Sequence, residues 1–102
     1  MSKLRQSAKG QACTLRLQGC NYNPETTVLA HIRIGFNAGM GQKPNDLHAL
    51  FACSNCHDVI DERAKGDWDY KDILIGHLRT LDIWVKMGLV IVPSQKQVSV
   101  DF

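Results

Sequence analysis

Acidic residues are almost missing from the first 43 positions of this 102-residue chain. There Glu25 alone faces six basic residues, Lys3, Arg5, Lys9, Arg16, Arg33 and Lys43. The local balance is +5, whereas the remainder, six basic residues against nine acidic, carries −3. A basic arm on an acidic domain suits contact with a phosphate backbone, and it serves equally as a solvated, flexible leader. Long apolar runs are missing too. No stretch approaches the ~20 residues that a bilayer span requires. The opening Met-Ser-Lys-Leu-Arg-Gln-Ser-Ala-Lys-Gly lacks the apolar centre of a secretory signal. These absences favour a cytoplasmic protein without a membrane partner. No repeat or second domain is visible, and a chain of this length builds one domain with little stability to spare.

Four cysteines are present. Cys53 and Cys56 lie in Cys-Ser-Asn-Cys-His, and Cys13 and Cys20 form a pair upstream. In a reducing compartment, paired cysteines bind metal more often than they oxidise. Two pairs supply the four sulfur ligands of a closed structural zinc site, whose cross-link supplements a thin core. His57 directly follows Cys56. On a helix starting there, adjacent side chains diverge by about 100°, so Cys56 can face the metal while His57 faces elsewhere.

The chain divides into a flexible basic leader over 1–12, a core over 13–65 and a C-terminal helix with a short strand over 67–92. Thr26–Ile34 is rich in β-branched residues and reads as a strand with His31 near its end. Residues 35–45 read as a loop, and Asp46–Ala52 as a returning antiparallel strand. A helix is expected from Asn55–Cys56 to about Lys65, closed by Gly66. Asp67 or Asp69 then caps a longer helix whose apolar stripe is Leu74, Leu78, Leu81 and Val85, widened by Ile73 and Trp84. Gly88 closes it, and Leu89–Val92 follows as a strand. His77, within that helix, reads as a packing or surface histidine.

The order strand, loop, strand, Cys-x-x-Cys-His, helix resembles the ββα-metal arrangement of HNH endonucleases. The residues that carry the resemblance are Ala30-His31-Ile32 and the run from His48 to His57. More narrowly, His31-Ile-Arg33 and Cys53-Ser-Asn-Cys-His-Asp-Val-Ile-Asp61 resemble the small prophage-encoded nucleases of the YbcO type. The resemblance implies an α+β fold: a small zinc-stabilised, treble-clef-like ββα-metal domain with an additional C-terminal helix. It also implies a general base at His31 and a ligand for a catalytic divalent ion at His57. His48, five residues before Cys53, falls at the middle position, with Asn45 as an alternative three residues earlier. That makes His31, His48 and His57 the implied catalytic set. The family often places an aspartate before the first histidine as a metal ligand. Ala30 stands there instead, and the first cysteine pair encloses six residues rather than two.

Phosphodiester hydrolysis needs a nucleophilic water, a base and a cation that offsets charge on the phosphate. An imidazole can exchange a proton near neutral pH, so His31 suits the base. With Ala30 silent, Asp61 is favoured over Asp58 as the second ion ligand, because it lies one helical turn from His57. Arg33 shares a strand face with His31 and is a candidate phosphate contact. The expected function is metal-dependent hydrolysis of DNA, with structural zinc and a catalytic Mg, Mn or Zn ion. The contacts would run to the phosphate backbone with low sequence specificity, and a homodimer is compatible. Two rivals share the motif. A non-catalytic zinc module contacting nucleic acid or protein uses the same cysteines. Cys-Ser-Asn-Cys-His is also a c-type haem attachment motif, a reading that leaves Cys13 and Cys20 idle and requires export.

Overall fold

The computed structural model describes residues 2–34 and 44–93. The expected loop over 35–45 therefore lies mostly outside the described residues, as does Lys43. Two strands, β1 (Val28–His31) and β2 (Ala49–Ala52), form an antiparallel pair. Their register sets Val28 opposite Ala52 and His31 opposite Ala49. Among the described residues, three α-helices pack around them: α1 (Lys3–Ser7), α2 (Ser54–Ile60) and α3 (Tyr70–Lys86). This is a small α+β domain.

β2 is buried on both faces. Leu50 and Ala52 face Cys13, Leu15, Leu17, Cys53, Cys56 and Ile73, while Ala49 and Phe51 face Ala8 and Trp84. One edge of β2 pairs with β1. Its other edge is completed by side chains. Phe51 N–H donates to Thr14 Oγ1 at 3.1 Å, and the Phe51 carbonyl accepts from the Thr14 backbone N–H at 2.8 Å. The Thr14 and Thr80 hydroxyls lie 2.8 Å apart. His77 Nδ1–H donates to the Ala49 carbonyl at 2.7 Å, so the histidine expected to pack or to lie at the surface finishes the edge. A buried strand edge left without partners is costly, which explains why Thr14, Thr80 and His77 line it.

The buried face of α3 is accordingly Ile73, Gly76, Thr80 and Trp84. Of the expected stripe, Leu74 is 56% exposed, Leu78 50% and Val85 36%, leaving half-buried Leu81 with Ile73 and Trp84 on the packed side. The reason is proximity. An added Cβ at Gly76 would lie 3.1 Å from Leu50 Cδ2 and 3.3 Å from the Leu15 Cα and the Thr14 carbonyl oxygen. The glycine thus lets α3 approach the Cys13–Cys20 loop closely.

Helix ends follow local chemistry. Asp69, one of the two expected caps, forms a capping box with Asp72. Gly88, at φ +77°, donates to the Val85 carbonyl, and Leu89 donates to the Trp84 carbonyl. That is a Schellman closure, and it places Leu89 and Val90 in a turn instead of the expected strand. α2 stops at Ile60 rather than near Lys65. Glu62 enters the left-handed region at φ 61°, and the N–H groups of Arg63 and Ala64 both return to the Asp58 carbonyl. Gly66 is a close-approach glycine, since a Cβ there would meet Val59 at 2.8 Å. β1 is shorter than expected because Pro24–Thr26 forms a 3₁₀ turn capped by Asn23.

The leader also departs from expectation. Ser2 caps α1, Ser7 and Ala8 are buried, and Trp84 Nε1–H donates to Ser7 Oγ at 2.8 Å. A buried indole N–H requires an acceptor, and α1 supplies it. Phe51 packs edge-on against the same Trp84.

Gly76→Ala gains about 1 kcal/mol of helix propensity but forces α3 off the loop. The expected net effect is a loss of about 1–3 kcal/mol, read by urea denaturation. Equal or greater stability would contradict the close approach.

Candidate active site and cysteine cluster

Cys53 follows β2 directly and caps α2, and its sulfur accepts from Cys56 N–H at 3.4 Å. The Cys13 sulfur accepts from Arg16 N–H at the same distance. Arg16 and Tyr22 both take left-handed backbone conformations, at φ 53° and 52°, which bend the chain around Cys13 and Cys20. All four sulfurs lie within 4.8 Å of one another, with Cys20 and Cys53 at 3.7 Å. A disulfide needs about 2.05 Å, and all four cysteines are free. Tetrahedral thiolates around a zinc-sized ion stand about 3.8 Å apart, so the donor set fits. The wide spacing between Cys13 and Cys20 does not prevent convergence.

The thiol chemistry is unequal. Burial raises Cys20 to about 11, reinforced by Cys53 and Cys13 and opposed by the Tyr22 N–H. Burial also pushes Cys56 up. At Cys53 burial is outweighed by the N–H groups of Cys56 and Asn21 and by the neighbouring thiols, which bring it down to about 7. A bound cation would stabilise the thiolates of all four together. These four residues can hold a metal ion.

On the other side of α2, His57 and Asp61 sit one turn apart, with Nε2 to Oδ2 at 3.1 Å. The left-handed Glu62 swings Arg63 back over them. Its guanidinium lies 3.2 Å from Asp61, 3.3 Å from Asp58 and 3.4 Å from His57 Nδ1. Thus Asp58 and Asp61 both belong to this cluster, but only Asp61 pairs with His57 among the described residues.

His31, at the end of β1, has Nε2 2.8 Å from Asp46 Oδ1. Asp46 Oδ2 also accepts from Ser2 Oγ–H at 2.6 Å, and Arg5 Nε stands 3.5 Å from Oδ1. The Ser2 hydroxyl and then His31 hold the Asp46 carboxyl below its usual range, against burial and with help from Arg5. A cleft of about 530 Å³ joins the two clusters. Its wall includes His31, Arg33, Asp61, Arg63, Trp68 and Tyr70. His57 is coupled to that wall through Asp61. His48, half-buried just before β2, continues the strand pairing, its carbonyl accepting from Ile32 N–H at 2.8 Å. Asn45 shapes the preceding turn, its Oδ1 accepting from Leu47 N–H. Lys3 and Lys9 are exposed, whereas Arg5 is drawn into the Asp46 pair.

Two residues of this site carry no clear signal in the sequence, Asp46 and Arg63. Asp46 looks like the first residue of a strand, and its partner is 15 positions away. For Arg63, proximity in sequence to His57 and Asp61 was available, but the reversal at a non-glycine residue was not.

A small α+β domain with a four-cysteine cluster beside a cleft walled by histidine, carboxylate and arginine is the class these features define. The chain belongs to the family described as "Putative nuclease YbcO", whose model matches residues 2–89. It is 47% identical over 94 residues to "Putative nuclease YbcO" of Escherichia coli (strain K12), covering 88% of this chain and 98% of that protein. "Putative nuclease ybcO" of Enterobacteria phage 82 matches to the same extent. A solved "putative bacteriophage protein" from Escherichia coli str. K-12 substr. MG1655 superposes with a TM-score of 0.67 at 45% identity, covering 84% of this chain and all of that one. Among the described residues, no helix is long and apolar enough to cross a membrane.

Purified protein is expected to carry one divalent ion per chain on the four sulfurs. Cys56→Ser or chelation should lower unfolding stability by more than about 4 kcal/mol where free metal exceeds Kd a thousandfold. Elemental analysis with thermal unfolding checks this, and a metal-free protein of unchanged stability would contradict it.

Proposed function

We propose that the protein is a divalent-ion-dependent nuclease of the HNH type that hydrolyses phosphodiester bonds in DNA. Zinc on Cys13, Cys20, Cys53 and Cys56 would hold the scaffold. The observation that carries this reading is the shared cleft, with His31 from the end of β1 on one side and Asp61, paired to His57 of α2, on the other. The element order β1, β2, α2 supports it, as do the names of the relatives and the phage source of one of them.

In this reading His31 removes the proton from the attacking water, as an imidazole can near neutral pH. His57 and Asp61 would hold a Mg, Mn or Zn ion. When bound, that ion supplies positive charge against the charge that grows on the phosphate oxygens. Arg33 flanks the cleft as a phosphate contact. Arg63, now spread across Asp58, Asp61 and His57, is a second candidate. His48 braces the strand pair behind His31. Lys3 and Lys9 would add backbone contacts outside the cleft.

Plasmid nicking with added Mg²⁺, Mn²⁺ or Zn²⁺, alongside calorimetric ion titration, tests the assignment. His31→Ala should lose about 10²- to 10⁴-fold in turnover yet still bind the ion. His57→Ala should lose both ion binding and nicking, and both variants should keep the cysteine-bound metal. Wild-type protein inert on duplex, single-stranded and branched DNA and on RNA, or full activity in His31→Ala, would favour a non-catalytic zinc module instead.

Reversing Lys3 and Lys9 to glutamate should weaken DNA binding and flatten its salt dependence, the slope falling by about one for each phosphate no longer neutralised. Thermal stability should stay nearly unchanged, because both side chains are exposed. An unaltered slope would return these lysines to solvent.

A further inference from the structure

We infer that Asp46 is a positioning residue for His31, and that the N-terminal segment, through Ser2 and Arg5, is built into the active site as its support. The inference rests on the nuclease reading above. A carboxylate only accepts hydrogen bonds, so the His31 nitrogen at 2.8 Å from Asp46 Oδ1 must carry the proton. Nε2 is therefore the donor, and in the neutral ring Nδ1 keeps the lone pair. Among the described residues, no hydrogen-bond partner occupies Nδ1. The pair thus selects which nitrogen takes a proton from water, and it supplies a counter-charge to the imidazolium that results.

Asp46 is held from three sides. Asn45 caps the turn through its bond from Leu47 N–H, and the Asn45 carbonyl accepts from His48 N–H at 2.8 Å. The Ser2 hydroxyl accepts from Arg5 N–H at 3.1 Å, which starts α1, and donates to Asp46 Oδ2 at 2.6 Å. Arg5 Nε faces Oδ1 at 3.5 Å. The His31 and Asp46 side chains are only 17% and 21% exposed, so water screens the pair little. An ordinary surface ion pair needs no such scaffold. Other charged groups facing His31 are Arg33 on its own strand and Asp61, Glu62 and Arg63 across the cleft.

The test compares wild type, Asp46→Asn, Asp46→Glu and Ser2→Ala, each in the full chain loaded with metal. Proton NMR of wild type should show a low-field, hydrogen-bonded His31 Nε2–H resonance. In Asp46→Asn, kcat for nicking should fall about 10- to 100-fold with KM unchanged, and the acidic limb of the rate profile should move to lower pH. Asp46→Glu should recover part of the rate. Ser2→Ala should show a smaller loss in the same direction. An absent Nε2–H resonance, wild-type kcat in Asp46→Asn, or a loss of rate with the limb unmoved would each overturn the inference. Wild-type protein inert on every nucleic acid overturns the nuclease reading and this inference with it. An active wild type with an indifferent Asp46→Asn overturns this inference alone.

Discussion

The convergence of four sulfurs is the constraint on which the rest of this small domain depends. The loop from Cys13 to Cys20 and the turn from Cys53 to Cys56 are far apart in sequence, and the cluster joins them within 4.8 Å. Thr14, next to Cys13, then lies against Phe51 and completes the open edge of β2. Cys53 caps α2, so the same joint fixes the helix that carries His57 and Asp61. A core built on one doubly buried four-residue strand offers little redundancy. A metal cross-link at that point would hold both the scaffold and the direction of α2.

The cleft places opposite chemistry on its two walls. On one, a histidine is held by a carboxylate that is itself fixed by Ser2 and Arg5. On the other, Asp61 and Arg63 line the cleft, backed by His57 and Asp58, which contact them from outside the wall. The first arrangement favours a defined tautomer on a stiff strand end. The second gathers negative charge around a positive group, the environment that a divalent ion or a phosphate would meet. None of the four cysteines lines the cleft, so a metal held by the thiols would not draw on the cleft's own candidate ligands.

Much of this was legible in sequence wherever the signal is local. Cys-x-x-Cys, the cap at Asp69, the closure at Gly88 and the antiparallel order of β1 and β2 all rest on neighbouring residues. The pairing of His57 with Asp61 followed from helical spacing alone. The buried face of α3 was not legible. Leucines at 74 and 78 outweigh Gly76 and Thr80 in any apolar pattern, yet a strand edge needs hydroxyls and close approach rather than bulk. Asp46 was hidden because its role depends on a turn and on a helix near the N-terminus. That helix itself was unreadable from five polar-rich residues, since Trp84, 77 positions from Ser7, supplies the reason for it to dock.

In the nuclease proposed above, holding the fold and cleaving the phosphate are a division of labour between two separate centres. Its most direct measurement is single-turnover DNA cleavage by protein loaded with one equivalent of zinc and then titrated with Mn²⁺. The expected result is folded, inactive protein at one zinc and cleavage that rises to saturation as a second ion binds. Cleavage independent of added Mn²⁺, or none at any Mn²⁺ concentration, would contradict it.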